Sequence, residues 1–133
     1  MKKSILLVCL ICMSFATSSD PVERLGIKGP LQFNKTEFSL AWSQKPNEKM
    51  YVQEYLPKGE TVDRFDQMLT LYVLHAGFSV EQAVAQKAEE LTERKKTDEI
   101  CHFSVIKSPD GKEQILDCLL SDNSSGKVDV VEL

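Results

Sequence analysis

Two alternating apolar runs joined by Ser108-Pro109-Asp110-Gly111 restrict this chain more than any other feature, because a cysteine stands on either side of the tetrad, at Cys101 and Cys118. Proline fixes φ at the second position of a type I turn, aspartate suits the third and glycine the fourth. The tetrad therefore predicts a β-hairpin. If those four residues form the loop, Lys107 faces Lys112 and Cys101 faces Cys118. A three-residue loop with a bulge would put the cysteines on opposite faces. Directly opposed Cα atoms lie about 4.5–5.5 Å apart, within reach of a disulfide. A loop of this size closed by such a bond gains roughly 3 kcal/mol in the chain-entropy model. A bridge between Cys101 and Cys118 is the expectation.

The same register sets His102 opposite Asp117 as a cross-strand pair on the other face. Histidine and aspartate are two parts of a catalytic triad, but a nucleophile and an oxyanion site would also have to be placed. Ser104 lies on that face without a glycine elbow, so no catalytic residue is assigned. Redox cysteines typically stand two residues apart at a helix start, not across a hairpin. His75 and His102 are the only histidines, and with the cysteines paired no tetrahedral ligand set is left. Neither a metal nor a cofactor is expected.

MKKSILLVCLICMSFATSSD has two lysines, an apolar run from Ile5 to Met13 and then small residues, the layout of a secretory signal peptide. We expect residues 1–18 to be removed. Val8 and Ile11, before Cys9 and Cys12, are branched rather than small, which argues against lipid attachment at either cysteine. The run falls short of the ~20 apolar residues a membrane span needs, and no later segment is more apolar. Export places the chain where disulfides persist. The expected location is the periplasm or the medium.

Removing Lys2 and Lys3 from the 16 basic residues leaves 14 against 20 acidic ones, a net charge of −6. That balance speaks against a nucleic-acid partner, which needs a basic face. Arg94-Lys95-Lys96 sits among Glu89, Glu90, Glu93, Asp98 and Glu99 and reads as a mixed solvated face. The remaining chain of about 115 residues suits one core, so 19–133 is expected to be a single domain.

Phe38, Leu40 and Trp42 alternate as one side of a strand, and Met50, Val52 and Leu56 alternate against Tyr51, Gln53 and Tyr55 in a second. Thr61 then suits a helix N-cap, with Phe65, Met68, Leu69 and Tyr72 at helical spacing and Gly77 as the stop. Ser79-Val-Glu-Gln82 reads as a capping box opening a second helix to about Lys95, with an apolar stripe of Val80, Val84, Ala88 and Leu91. Strands follow at about 100–107, 113–120 and 127–133. The expected order is β-β-α-α-β-β-β, an α+β fold with an antiparallel sheet of about five strands and two helices on one face. The last strand is either well paired or an edge open to augmentation, and the chain reads as a shortened version of something longer.

If Met50, Val52 and Leu56 face the core, Tyr51, Gln53 and Tyr55 form an aromatic-polar strip, continued by Lys58 and Glu60 in the Pro57–Glu60 loop. Tyrosine suits such surfaces because it offers rigid area with a polar tip. Glu60, Asp63 and Asp66 could serve as paired carboxylates, although capping and solvation explain them more simply. His75 reads as a dipole contact near a helix end.

Residues 32–60, QFNKTEFSLAWSQKPNEKMYVQEYLPKGE, continuing to Phe65-Asp-Gln-Met68, resemble small exported bacterial proteins of uncharacterised function. The shared features are an aromatic strand, a Tyr-x-x-Glu-Tyr-x-Pro-x-Gly-Glu segment and a following helix. The resemblance implies export and an α+β body and brings no catalytic residues with it. The functional expectation is a non-enzymatic module that binds another protein or a cell-envelope component. The alternatives are an envelope hydrolase or transferase using the acidic residues near the first helix, and a hydrolase inhibitor presenting the stapled hairpin.

Overall fold

The computed structural model describes residues 20–124 and 126–133, so the expected signal peptide at 1–18 lies outside the described residues. The chain divides into two compact units, one ending at His75 and the other spanning Ala76–Leu133.

In the first unit, β1 (Leu31–Phe33), β2 (Thr36–Asn47), β3 (Met50–Pro57) and β4 (Leu69–Leu74) form an antiparallel sheet in chain order. β1 and β2 are joined by Asn34 and Lys35, both at positive φ (45° and 64°), as a tight two-residue hairpin requires. Residues 20–30 form a lead-in without helix or strand, and β1 was not among the strands expected from the sequence.

The first predicted helix is absent. Residues 61–68 form a turn-rich link with a single Thr61–Arg64 bridge, and Leu69–Leu74 is a strand paired along β3 from Tyr55↔Leu69 to Met50↔Leu74. The helical spacing of Phe65, Met68, Leu69 and Tyr72 was a local signal, and a ladder along Met50–Tyr55 of β3 outweighs it. His75 accordingly continues that ladder, donating its N–H to the Lys49 carbonyl at 2.8 Å, instead of meeting a helix end.

β2 does not hold one period. Leu40 pairs with Tyr55 and Trp42 with Glu54, so the register shifts at Ala41. Consecutive β3 residues point to opposite faces, and Trp42 therefore leaves the side that Phe38 and Leu40 occupy. Phe38 is buried, whereas Trp42 is 37% exposed.

The second unit opens with α1 (Val80–Arg94), whose predicted capping box is complete. Gln82 N–H donates to Ser79 Oγ at 3.2 Å, and Ser79 N–H donates to Gln82 Oε1 at 2.8 Å. Of the predicted stripe, Leu91 is buried, Val84 and Ala88 are half-buried, and Val80 is exposed. β5 (His102–Lys107), β6 (Gln114–Asp122) and β7 (Asp129–Glu132) form an antiparallel sheet in that order. Leu91, Cys101 and Cys118 make its buried cluster, with Phe103, Leu116 and Leu120 packed against them.

Among the described residues, one helix and seven strands in sheets of four and three replace the expected α+β arrangement of a single five-stranded sheet with two helices. No helix among the described residues is long and apolar enough to cross a membrane.

Candidate functional site

Gln53 and Tyr55 are the most enclosed of the residues expected on an interaction strip, with 0% and 1% exposure. Their cover comes from the lead-in. Arg24 N–H donates to Gln53 Oε1 at 2.6 Å, Gln53 Nε2 donates to Glu23 Oε1 at 3.0 Å and to the Tyr55 hydroxyl at 2.6 Å, and Ser43 Oγ donates to the Val22 carbonyl at 2.5 Å. A buried amide needs such partners, and here each end of the Gln53 side chain has one. Hydrogen bonds, that from the Leu25 N–H foremost, hold the Glu23 carboxyl below its ordinary range. Gln53 and Tyr55 are therefore core, covered by a strap where the sequence suggested open surface.

Tyr51 is half-buried at the end of the same strand, edge-on to His75 with ring centroids 6.4 Å apart and Lys45 Nζ 5.5 Å from its ring. Lys58 is exposed beside Gly59, whose φ of +90° favours a residue without a side chain. Glu60 Oε2 accepts from the N–H groups of Asp66 and Gln67 at 2.9 and 3.2 Å. It braces the 61–68 link, and no helix stands beside it to align Asp63 and Asp66 as a catalytic pair.

The SPDG turn forms as expected, with Gly111 N–H donating to the Ser108 carbonyl at 3.0 Å and Gly111 at φ +69°. The ladder closes one step later. Ser108 N–H donates to the Glu113 carbonyl at 2.9 Å, so Pro109–Lys112 form the loop and Lys107 faces Gln114. Ser104 then faces Asp117, His102 faces Leu119 and Phe103 faces Cys118, correcting the expected His102–Asp117 and Cys101–Cys118 oppositions. The displacement is two residues along β6, and because the side-chain period is two, every face is preserved.

Cys101, just before β5, shares the helix-covered face with Cys118, and both thiols are free and buried. Cys101 Sγ donates to the Leu91 carbonyl at 3.5 Å. Burial pushes the Cys118 thiol pKa up, and the neighbouring Cys101 adds to the shift. Such thiols are poor nucleophiles.

The opposite face of this sheet is open. Ile106 and Ile115 stand directly opposed, 59% and 62% exposed, with Leu119 and Val130 also exposed across β6 and β7. Between them a shallow depression is lined by His102, Ser104, Asp117, Leu119 and Glu132. His102 Nδ1 lies 2.6 Å from the Cys101 carbonyl oxygen, which can only accept, so Nδ1 carries a proton. No lysine or arginine is among the residues that the register places on this face. Its chemistry is apolar and acidic. Among the described residues no group of three or more His, Cys, Asp or Glu side chains is placed to hold a metal ion.

The sequence reading had His102, Ser104 and Asp117 on one face but passed over Ile106 and Ile115. Their signal was one isoleucine on each strand, in period with His102 and Ser104 on β5 and with Asp117 on β6. No curated protein and no solved structure matches the chain. Residues 25–133 match the sequence model of an uncharacterised family, and the chain belongs to that family.

Proposed function

We propose that the protein is an exported, non-enzymatic interaction module whose second unit binds a protein partner through the open face of β5–β6–β7. The observation that carries this reading is the opposed Ile106–Ile115 pair, exposed on the sheet face that also carries the Asp117 and Glu132 carboxylates. Contiguous apolar side chains rimmed by polar ones mark interaction surfaces, because water is released when they are covered.

Export under residues 1–18 belongs to this reading, and so does oxidation of Cys101 and Cys118 to a disulfide. Two thiols would lose two protons and two electrons to the disulfide of a thiol–disulfide oxidoreductase, which is reduced to a dithiol. The shared face and shared apolar cluster of the two cysteines support the bond.

The test uses photo-crosslinkers at Ser104 and Ile115 in the exported chain, identification of the captured protein, and reconstitution of the purified complex. Ile106→Asp with Ile115→Asp should abolish the complex and leave Tm nearly unchanged. A complex indifferent to the double variant sinks the assignment of this face.

A second reading rests on the four-stranded sheet. The shift at Ala41 brings Trp42 into a row with Glu54 and Thr70, on the face that also carries the exposed Tyr72. Flat rings beside a carboxylate and a hydroxyl suit an envelope glycan, whose sugars offer C–H faces to stack and hydroxyls to bond. Cosedimentation with peptidoglycan that Trp42→Ala and Tyr72→Ala leave unchanged would exclude it.

A further inference from the structure

β7 is an edge strand with a definite polarity of its hydrogen bonds. Among the described residues it pairs with β6 alone, from Asp122↔Asp129 to Leu119↔Glu132. Just beyond, Cys118 and Leu133 exchange both backbone bonds, at 2.9 Å and 2.8 Å. In an antiparallel ladder such doubly bonded pairs recur every second residue. The backbone groups of Val131 and Leu133 therefore point into the sheet, and those of Val130 and Glu132 point away from it. The edge is a row of donors and acceptors that a further strand can meet.

Side chains tell which strand it is. Val130, 59% exposed, and Glu132 stand on the open face next to Leu119 and the depression that Asp117 helps to line. We propose that this edge accepts an extended segment of a protein partner carrying lysine or arginine at alternate positions, which adds as a fourth strand beside β7. This rests on the interaction-module reading and names its partner chemistry. The added backbone pairs with Val130 and Glu132, its cationic side chains lie on the open face toward Glu132 and Asp117, and its apolar side chains fall on the other face, where Val131 stands. A second copy of the chain fits less well, since self-pairing at β7 brings two acidic open faces together. Short strands and charges on an edge are the devices that discourage such self-pairing.

The probe is a fluorescein-labelled peptide of alternating lysine and valine, with an alternating glutamate and valine peptide as its counterpart, titrated by anisotropy against the full chain. The lysine peptide should bind about tenfold or more tightly than the glutamate one, and added salt should weaken it. Val130→Pro removes one outward N–H at a site where an edge tolerates proline. Glu132→Lys reverses the charge and leaves the backbone intact. Each should weaken the lysine peptide about fivefold or more with Tm nearly unchanged. Equal affinity for the two peptides, or binding indifferent to both variants in folded protein, overturns the proposal. So does a dimer in sedimentation that Val130→Pro dissociates, which assigns the edge to a second copy. A partner captured through Ser104 or Ile115 that still binds Val130→Pro keeps the module reading and removes only the edge.

Discussion

Asp98 accepts a hydrogen bond from the Ser121 N–H at 3.0 Å through Oδ2, tying the segment after α1 to the end of β6. The same oxygen takes Arg94 Nε at 2.9 Å, and Oδ1 takes the Ile100 N–H at 3.1 Å. Arg94 in turn donates to the Ser121 carbonyl. One buried carboxylate thus joins the helix, the lead into β5 and β6. The Ser121 bond is the main cause holding the Asp98 carboxyl far below its ordinary range, with the Arg94 bond next.

The folded-state pKa of Asp98 is depressed, so its contribution to stability is present above the unfolded value of about 4 and is lost as pH falls toward the folded value. Asp98→Asn should lower Tm by several degrees at pH 7. The gap between the two proteins should narrow as pH drops below about 4. Thermal melts of both across pH 2–7 give the comparison, and a gap constant with pH would separate Asp98 from the acid response.

Tyr51 and Tyr55 should behave differently although both stand on one side of β3. Tyr55→Ala empties a site that is 1% exposed and strips Gln53 of a partner, a loss of about 3–5 kcal/mol in urea unfolding. Tyr51→Ala removes a half-buried ring at the strand end and should cost less than half of that. Equal losses would contradict the strap over Gln53 and Tyr55.

Ser79→Ala should destabilise by about 1 kcal/mol through loss of the side-chain half of the capping box. Helicity at 222 nm reports on α1, the one helix among the described residues. An unchanged unfolding midpoint would mean that packing of Leu91, not the cap, fixes where α1 begins.

Cys101 and Cys118 should resist maleimide in the folded, reduced protein and react once it is unfolded, since both thiols are buried and burial raises the Cys118 pKa. After refolding from the reduced, unfolded state in oxidised glutathione, mass spectrometry of the denatured, alkylated chain should find no label. Two labels would leave the pair as packed thiols and remove the staple.

The local signals were determined by sequence alone. Ser79 and Gln82 lie four residues apart or fewer, so their capping box depends on nothing distant, and the same holds for the Ser108–Gly111 turn. The faces of β5 and β6 were also legible, because a register error of two residues leaves a period of two intact. What only the tertiary structure decided were choices settled between distant segments. Leu69 and Tyr72 continue a helical spacing that starts at Phe65, and Leu69–Leu74 becomes a strand because β3 offers each of its residues a partner. Trp42 changes sides because the shift at Ala41 exists only in the pairing of β2 with β3. Gln53 and Tyr55 become core because Glu23 and Arg24, about thirty residues earlier in the chain, supply the hydrogen bonds that make burying a polar strip affordable. Periodicity says which residues share a face, and long-range pairing says whether that face meets water.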